Sequence, residues 1–308
     1  MKRDVIVITG QTATGKTAHA LHLARQNSGE LINADSRQIY KYLNIITGKD
    51  IAPNSPFQII NPNLALDKNR TASIGYYPLD DIKIWAYDLV DPKVQFSSYD
   101  YTVVVNYILR NAIEKNKLPI VVGGSYLYLK HLIYGFDAQI PPDWTLRNGL
   151  EELPVAELQI RLNQLNSAIY ERMNPSDQKN PRRLIRKIEI ASVPSKRNPE
   201  KPAETSELRV REFIGLRFKK QANLAEIIKN RVEKRLKQGA LAEVEALLAK
   251  GYQKTDPGLQ TIGYQQLISY LEKKISYDEA ISQWITAEVQ YAKRQYTFMK
   301  KDLNITWI

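Results

Sequence analysis

One eight-residue stretch near the start of the chain restricts its fold more than any total does. Gly10-Gln11-Thr12-Ala13-Thr14-Gly15-Lys16-Thr17 satisfies the pattern G-x-x-x-x-G-K-[ST]. A β-branched run at residues 5–8 precedes it, and an alanine- and leucine-rich stretch at 18–26 follows. Strand, loop and helix is the context in which this pattern has physical meaning. The two glycines let the backbone curl so that successive N–H groups, from Gly10 through Gln11, Thr12, Ala13 and Thr14, point at phosphate oxygens. The helix behind them adds the positive end of its dipole. Lys16 supplies a mobile charge for an outer phosphate, and the Thr17 hydroxyl is placed to ligate Mg²⁺. The loop establishes phosphate binding and, taken alone, points to ATP, because most such loops hold nucleoside triphosphates.

The surrounding pattern extends this unit into a sheet. Residues 31–32 read as a second strand, closed by Asn33-Ala34-Asp35-Ser36, and are expected to pair in parallel with residues 5–8. Further strands are expected at 84–90 and 118–122, with helices at 101–116 and 125–134. The fold class is therefore α/β: a P-loop NTPase-like parallel sheet flanked by helices, binding its ligands beyond the carboxyl ends of the strands. Past Pro141-Pro142 the texture turns helical, at 153–166 and again from Asn180-Pro181 to about 191. A polar, proline-rich loop at 194–206 leads to an alternating strand at 208–218. Helices then follow at 224–237, 241–250, 263–272 and 277–301. The expected organisation is a catalytic core at 1–139 and 205–308, with a small helical lobe inserted at 140–204.

Asp35 follows the second strand and so falls at the same sheet edge as the phosphate loop. There it can ligate a metal, accept a proton from an incoming nucleophile, or cap a helix through residues 39–40. Ser36 and Gln38 stand beside it as hydrogen-bonding groups for a substrate. Small-molecule P-loop kinases share this arrangement, so Asp35 alone does not choose among them. Charge tilts the choice. The net charge of +11 favours a polyanionic partner, because Lys and Arg gain by displacing counterions from phosphates. Cysteine is absent, which excludes thiolate catalysis and zinc knuckles. No leader-like segment opens the chain and no apolar run approaches a membrane span. The expectation is a cytoplasmic protein with no membrane partner, working as a monomer.

Six motifs in order then resemble the tRNA dimethylallyltransferase family. They are the phosphate loop at 10–17, Asp35-Ser36-Arg37-Gln38-Ile39-Tyr40, and Val122-Gly123-Gly124-Ser125-Tyr126-Leu127-Tyr128. After these come Asn180-Pro181-Arg182-Arg183-Leu184-Ile185-Arg186-Lys187-Ile188-Glu189, Ile262-Gly263-Tyr264-Gln265-Gln266, and Ala292-Lys293-Arg294-Gln295-Tyr296-Thr297. The resemblance spans about residues 5–299. It implies that the loop holds dimethylallyl diphosphate and that the acceptor is the adenosine directly 3′ of the anticodon, in tRNAs reading codons that begin with U. The partners it implies are thus the tRNA anticodon stem-loop and the isoprenoid diphosphate, with Mg²⁺ as cofactor. On that reading Lys16 and Arg231 stabilise the departing pyrophosphate and Asp35 takes the proton of the adenine N6 amine. The tRNA contacts it implies are Asp35, Ser36, Arg37, Gln38, Ser125, Arg182, Arg183, Leu184, Ile185 and Arg186.

The basic segment also has a reading of its own. Residues 179–187 carry five positive charges and no acid, and Arg182 and Arg186 share one helical face, as do Arg183 and Lys187. Arginines at a helix N-terminus are unfavourable for the dipole, which points to an anionic partner. The chain departs from the family in three places. An insertion occupies 54–77, the family's histidine pair before Asp-x-x-Asp-Pro is missing in Trp85-Ala86-Tyr87-Asp88-Leu89-Val90-Asp91-Pro92, and Phe298 replaces a tryptophan. Ser125 stands where the family more often has Thr. The rivals are a small-molecule P-loop kinase, an adenylate isopentenyltransferase acting on free nucleotide, and a non-catalytic RNA-binding protein. The first leaves the arginine helix unexplained, and the last leaves the intact Lys16, Thr17 and Asp35 unexplained.

Overall fold

The computed structural model describes residues 3–51, 55–136, 138–193, 208–218 and 223–308. The loop expected at 194–206 and Asn54 lie outside the described residues. The chain divides into two compact units, residues 1–133 with 207–308, and residues 134–206.

The larger unit carries strands β1 (Arg3–Gly10), β2 (Gly29–Asn33), β3 (Gln58–Ala65), β4 (Thr71–Leu79), β5 (Ile82–Trp85), β6 (Leu118–Val122), β7 (Leu208–Leu216) and β8 (Thr306–Trp307). They form one sheet in the order β3-β4-β5-β2-β6-β1-β7-β8. From β5 to β8 all neighbours are parallel, whereas β3, β4 and β5 form an antiparallel meander. The expected direct pairing of β1 with β2 is corrected here: β6 lies between them and pairs with both. The reason is in its composition. Four of the five residues of β6 are buried, and a continuous apolar strand is stable only where both faces are covered, in the middle of the sheet.

Helices α1 (Lys16–Gln26), α2 (Ser98–Glu114) and α3 (Tyr126–Tyr134) belong to the first half of this unit. Strand alternation assigns the two faces of the sheet. Ile6 and Ile8 pack with Ala20 and Ala24 of α1. Val5 and Val7 face the other way, into the larger core with Tyr101, Val104 and Ile108 of α2. Ser97 begins α2 with a reciprocal capping box to Asp100, which is also paired with Arg70 at 3.0 Å.

The segment inserted at 54–77 adds the β3–β4 hairpin to the sheet edge, extending β5. The strand expected over 84–90 stops at Trp85. Ala86 and Asp88 take positive φ values of 65° and 53°, which break the extended run, and Val90 keeps only an isolated bridge to Tyr40.

The smaller unit is helical: α4 (Trp144–Glu151), α5 (Val155–Leu165), α6 (Ser167–Glu171), α7 (Pro175–Gln178) and α8 (Pro181–Ala191). Asn180 caps α8 by accepting from the Arg183 N–H, with Pro181 in its first turn. Leu150, Leu158, Leu162, Leu184, Ile185 and Ile188 form its core. The larger unit is completed by α9 (Leu224–Lys237), α10 (Ala240–Ala249), α11 (Tyr264–Leu271) and α12 (Tyr277–Met299). Among the described residues no helix is long and apolar enough to cross a membrane.

Candidate active site

A cavity of about 400 Å³ opens at the carboxyl edge of the sheet. Five pieces of chain line it: the phosphate loop, Asn33 to Gln38 after β2, the turn through Gly48, Lys49 and Asp50, the Gly123-Gly124 pair after β6, and the Arg231–Arg235 face of α9. Ends of neighbouring parallel strands converge there, which is where an open α/β sheet exposes its ligand edge.

The phosphate loop is braced from α12. Gln295 accepts from the Thr12 N–H at 2.9 Å and donates to the Gly124 carbonyl at 3.0 Å, while Gln11 donates to the Ala292 carbonyl at 3.2 Å. One amide thus joins the loop to the strand end beside it. A Cβ on Gly124 would collide with the Gln295 amide nitrogen, so a larger residue there would displace the amide that joins loop and strand end. Sequence reasoning placed Gln295 in a motif without giving it a task. Its signal was slight, an amide directly after Lys293 and Arg294 on α12.

Cations crowd the donor side. Lys16, half-buried, donates to the Gln11 carbonyl at 2.6 Å, and Arg231 donates to the Thr12 hydroxyl. Burial, and after it the Arg231 charge, pull the Lys16 amine down to about 8; Asp35 and Asp50 oppose the shift. Arg235 is drawn down to about 10 by burial and then by Arg231. It is anchored at 2.6 Å on Glu288, which also accepts from the Trp284 indole at 2.8 Å. The Gly48 turn closes against both arginines. A Cβ there would lie 2.7 Å from an Arg235 nitrogen and 3.1 Å from one of Arg231, at a φ of 68°. Positive charges held this close are poised for a multiply charged anion.

Asp35 lines the cavity and is partly buried. Its Oδ1 accepts from the Arg37 N–H at 2.8 Å, and its own N–H donates to Asn33 Oδ1 at 3.1 Å. That geometry is a tight turn, so the helix-capping alternative does not describe it. Ser125 accepts from the Ser36 N–H at 2.8 Å and donates to the Ser36 hydroxyl at 3.1 Å, which leaves the Ser36 proton to point elsewhere. Gln38 is buried, and its amide nitrogen is committed to the Thr47 and Gly48 carbonyls at 3.1 and 2.9 Å. It shapes the turn rather than offering a free donor. Arg37 is exposed. Tyr291, unremarked from sequence, sits near Asp35 and Ser125, and burial pushes its phenol up to about 12.

The structure therefore brings Thr12, Ala13, Gly15, Lys16, Thr17, Asp35, Gln38 and Arg231 to one cavity; Gly10, Gln11, Thr14, Ser36 and Ser125 are not in its lining, and Ser125 is bonded to Ser36. The residues predicted on the arginine helix separate into two kinds. Leu184 and Ile185 are buried in the helical unit's core, so their side chains pack that unit instead of presenting a polar surface. Arg186 is tied to Glu189 and donates to the Ile140 carbonyl at 2.8 Å; the same buried Glu189 also receives Arg147 at 2.8 Å. Arg183 pairs with Asp177. Arg182 is exposed and has no ion-pair partner among the described residues.

Among the described residues the Thr17 hydroxyl, in the cavity wall, has no protein hydrogen bond, and no cluster of three or more acidic, His or Cys side chains could hold a metal ion. Such a donor set suits Mg²⁺ arriving with phosphate oxygens, since that ion keeps most of its ligands from substrate and water.

Comparisons with known proteins converge. Residues 70–302 match the IPP transferase family and residues 3–71 the isopentenyl transferase family. A tRNA dimethylallyltransferase of Acetivibrio thermocellus is 32% identical, covering 99% of this chain and 91% of its own length. One from Anoxybacillus flavithermus is 30% identical, over 100% of this chain and 90% of its own. The crystal structure of the tRNA isopentenylpyrophosphate transferase of Bacillus halodurans superposes with a TM-score of 0.66 at 26% identity, covering 100% of this chain and 90% of that one.

Proposed function

The chain belongs to the IPP transferase family of tRNA dimethylallyltransferases, and from that membership we propose that it moves a dimethylallyl group from dimethylallyl diphosphate to N6 of the adenosine directly 3′ of the anticodon, in tRNAs reading codons that begin with U. The observation that carries this reading is a single cavity lined by a cationic cradle, Lys16 and Arg231, and by the carboxylate of Asp35 at the end of β2, with Asp50 as a second acid in the wall.

The N6 lone pair attacks C1 of the donor, the C1–O bond breaks, and its electron pair leaves with pyrophosphate. Negative charge grows on the leaving group. Lys16, Arg231 and the loop N–H groups, held before reaction by Gln295 and Gln11, stabilise that charge without reorganising; one such contact is worth roughly 3–4 kcal/mol at the barrier. Thr17 would hold Mg²⁺ together with the diphosphate oxygens, and the ion would supply Lewis-acid neutralisation of the same charge. Asp35 accepts the N6 proton. The amine is a poor nucleophile because its lone pair is delocalised into the ring, so a placed base contributes about 10²–10⁴-fold. The target adenine must leave its stack to enter the cavity, and the Ser36–Ser125 hydroxyl pair supports reading of its edge. Arg182 and Arg37 support the RNA contact by their exposed charge.

The test incubates the protein with labelled dimethylallyl diphosphate, Mg²⁺ and either tRNA or AMP. Label entering tRNA at the adenosine beside the anticodon is the expected result. Label in AMP alone identifies an adenylate isopentenyltransferase, and phosphoryl transfer from ATP without prenyl transfer identifies a kinase; either overturns the proposal.

A further inference from the structure

Tyr42 lies in the stretch between two parts of the cavity lining, Gln38 and Ile45. Its backbone is in the left-handed region, at a φ of 68°, and it is the one aromatic among the positive-φ non-glycine residues described. That conformation strains any residue with a Cβ, and such strain persists where function requires a particular side chain. Packing does not account for the choice. Tyr42 is 46% exposed, and glycine would adopt this φ without strain.

What surrounds the ring is the chemistry of nucleic-acid binding. Lys250 Nζ stands 4.6 Å from the Tyr42 ring centroid. Tyr252 lies beside it, with centroids 6.2 Å apart and planes tilted by 43°. The Tyr252 hydroxyl donates to Asp91 Oδ2 at 2.6 Å, which fixes that second ring, and Lys93 Nζ sits 5.4 Å from its centroid. Lys41, Lys93 and Lys250 have no ion-pair partner among the described residues, whereas the nearby Asp91 is taken up by Tyr252 and by the Lys93 N–H at 2.9 Å. An exposed aromatic face rimmed by unpaired cations offers stacking to a base and charge to its phosphates. The patch is also close to the chemistry. Tyr42 is three positions before Ile45 of the cavity lining, a span of at most about 11 Å of chain.

We propose that Tyr42 is a stacking platform for an unpaired nucleotide of the bound tRNA, with Lys250 and Lys93 flanking its phosphates. The proposal rests on tRNA as the acceptor and adds to it a contact outside the donor cavity.

Tyr42→Gly separates this role from a structural one, because it removes the ring and relieves the backbone strain together. The expected result is a Tm at or above that of the parent protein, with the KM for tRNA raised about tenfold, the scale of one lost base–aromatic contact. The KM for dimethylallyl diphosphate and kcat at saturating tRNA stay as they were. Tyr42→Phe and Tyr42→Trp keep the parent's KM for tRNA, since either ring stacks. A Tyr42→Gly protein with unchanged KM for tRNA overturns the proposal, and so does a Tyr42→Phe protein as impaired as Tyr42→Gly. Failure of the parent protein itself to bind tRNA would instead remove the acceptor assignment, a distinguishable outcome.

Discussion

Lys49 Nζ lies 2.6 Å from Asp88 Oδ1 in the interior of the larger unit, and the Tyr77 hydroxyl lies 2.6 Å from the other oxygen of the same carboxylate. Lys49 also donates to the Tyr40 carbonyl at 2.7 Å and to Asn44 Oδ1 at 2.9 Å. All three ammonium hydrogens are therefore committed. Burial lowers the Lys49 pKa, and the Asp88 charge opposes that shift. The pair matters to the site because Lys49 sits between Gly48 and Asp50 in the cavity wall. Tyr77 comes from β4, in the inserted hairpin, so the insertion buttresses that wall through Asp88.

Removing one partner of a buried ion pair leaves the other charge uncompensated, at a cost of about 3–5 kcal/mol. Asp88→Asn should lose stability on that scale in urea unfolding followed by circular dichroism. Tyr77→Phe deletes one hydrogen bond to the carboxylate while leaving the ion pair in place, and should lose the smaller amount of about 1.5–3 kcal/mol. Equal losses for the two variants would refute the ordering of these contacts.

The base assignment gives a separate expectation. Asp35→Ala should lower kcat by about 10²–10⁴-fold, while tRNA binding measured by filter retention stays within twofold of the parent. The partners of Asp35 are the Arg37 N–H and the Asn33 side chain, neither of which needs its carboxylate to hold the sheet edge. Near-normal turnover by the variant would remove Asp35 from proton transfer.

These residues differ in how legible they were. The phosphate loop, Asp35 and the cap of α8 are local: each depends on a few consecutive residues, and the chain states them directly. Gln295, Tyr291 and Gly48 gain their meaning only from elements far away in sequence, brought together by the sheet order. That order depends on β6 being buried on both faces, which a pairing rule based on sequence neighbours overlooks. The arginine helix is an intermediate case. Its periodicity was plain, but the same 3.6-residue repeat that aligns Arg182 with Arg186 also delivers Arg186 to Glu189, three residues on. The hairpin at 58–79 was obscured by Pro62 and by two register irregularities in β3, which blur the strict alternation of an edge strand.

Lys16 predicts a pH dependence. Its amine is held at about 8 by burial and by Arg231, so the free enzyme loses this charge as pH rises through that value. The kcat/KM for dimethylallyl diphosphate should fall above about pH 8. The kcat limb should appear at higher pH, because bound diphosphate favours the charged amine. Lys16→Arg keeps its charge and should abolish the limb, whatever its activity. The effect on stability has the opposite sign. The folded value lies below the unfolded one of about 10.4, so the unfolded chain binds more protons between the two. This group's contribution to stability therefore grows as pH rises from about 8 to about 10. A kcat/KM profile flat from pH 7 to 10 would exclude Lys16 as the titrating cation.

The arginine helix permits a prediction that sequence alone would have drawn differently. Arg182 and Arg186 occupy one helical face, yet only Arg182 is exposed with no ion-pair partner among the described residues. Arg186 is held by Glu189 and by the Ile140 carbonyl, and Glu189 also receives Arg147. Arg182→Ala should therefore weaken tRNA binding with little effect on thermal stability. The slope of log Kobs against log salt should become shallower by about one, the signature of one lost phosphate contact. Arg186→Ala should act through the fold instead. It removes a guanidinium from a buried carboxylate, and its main effect is expected as a lower unfolding temperature. A salt slope changed by Arg186→Ala and unchanged by Arg182→Ala would reverse these assignments and place the RNA on the other side of α8.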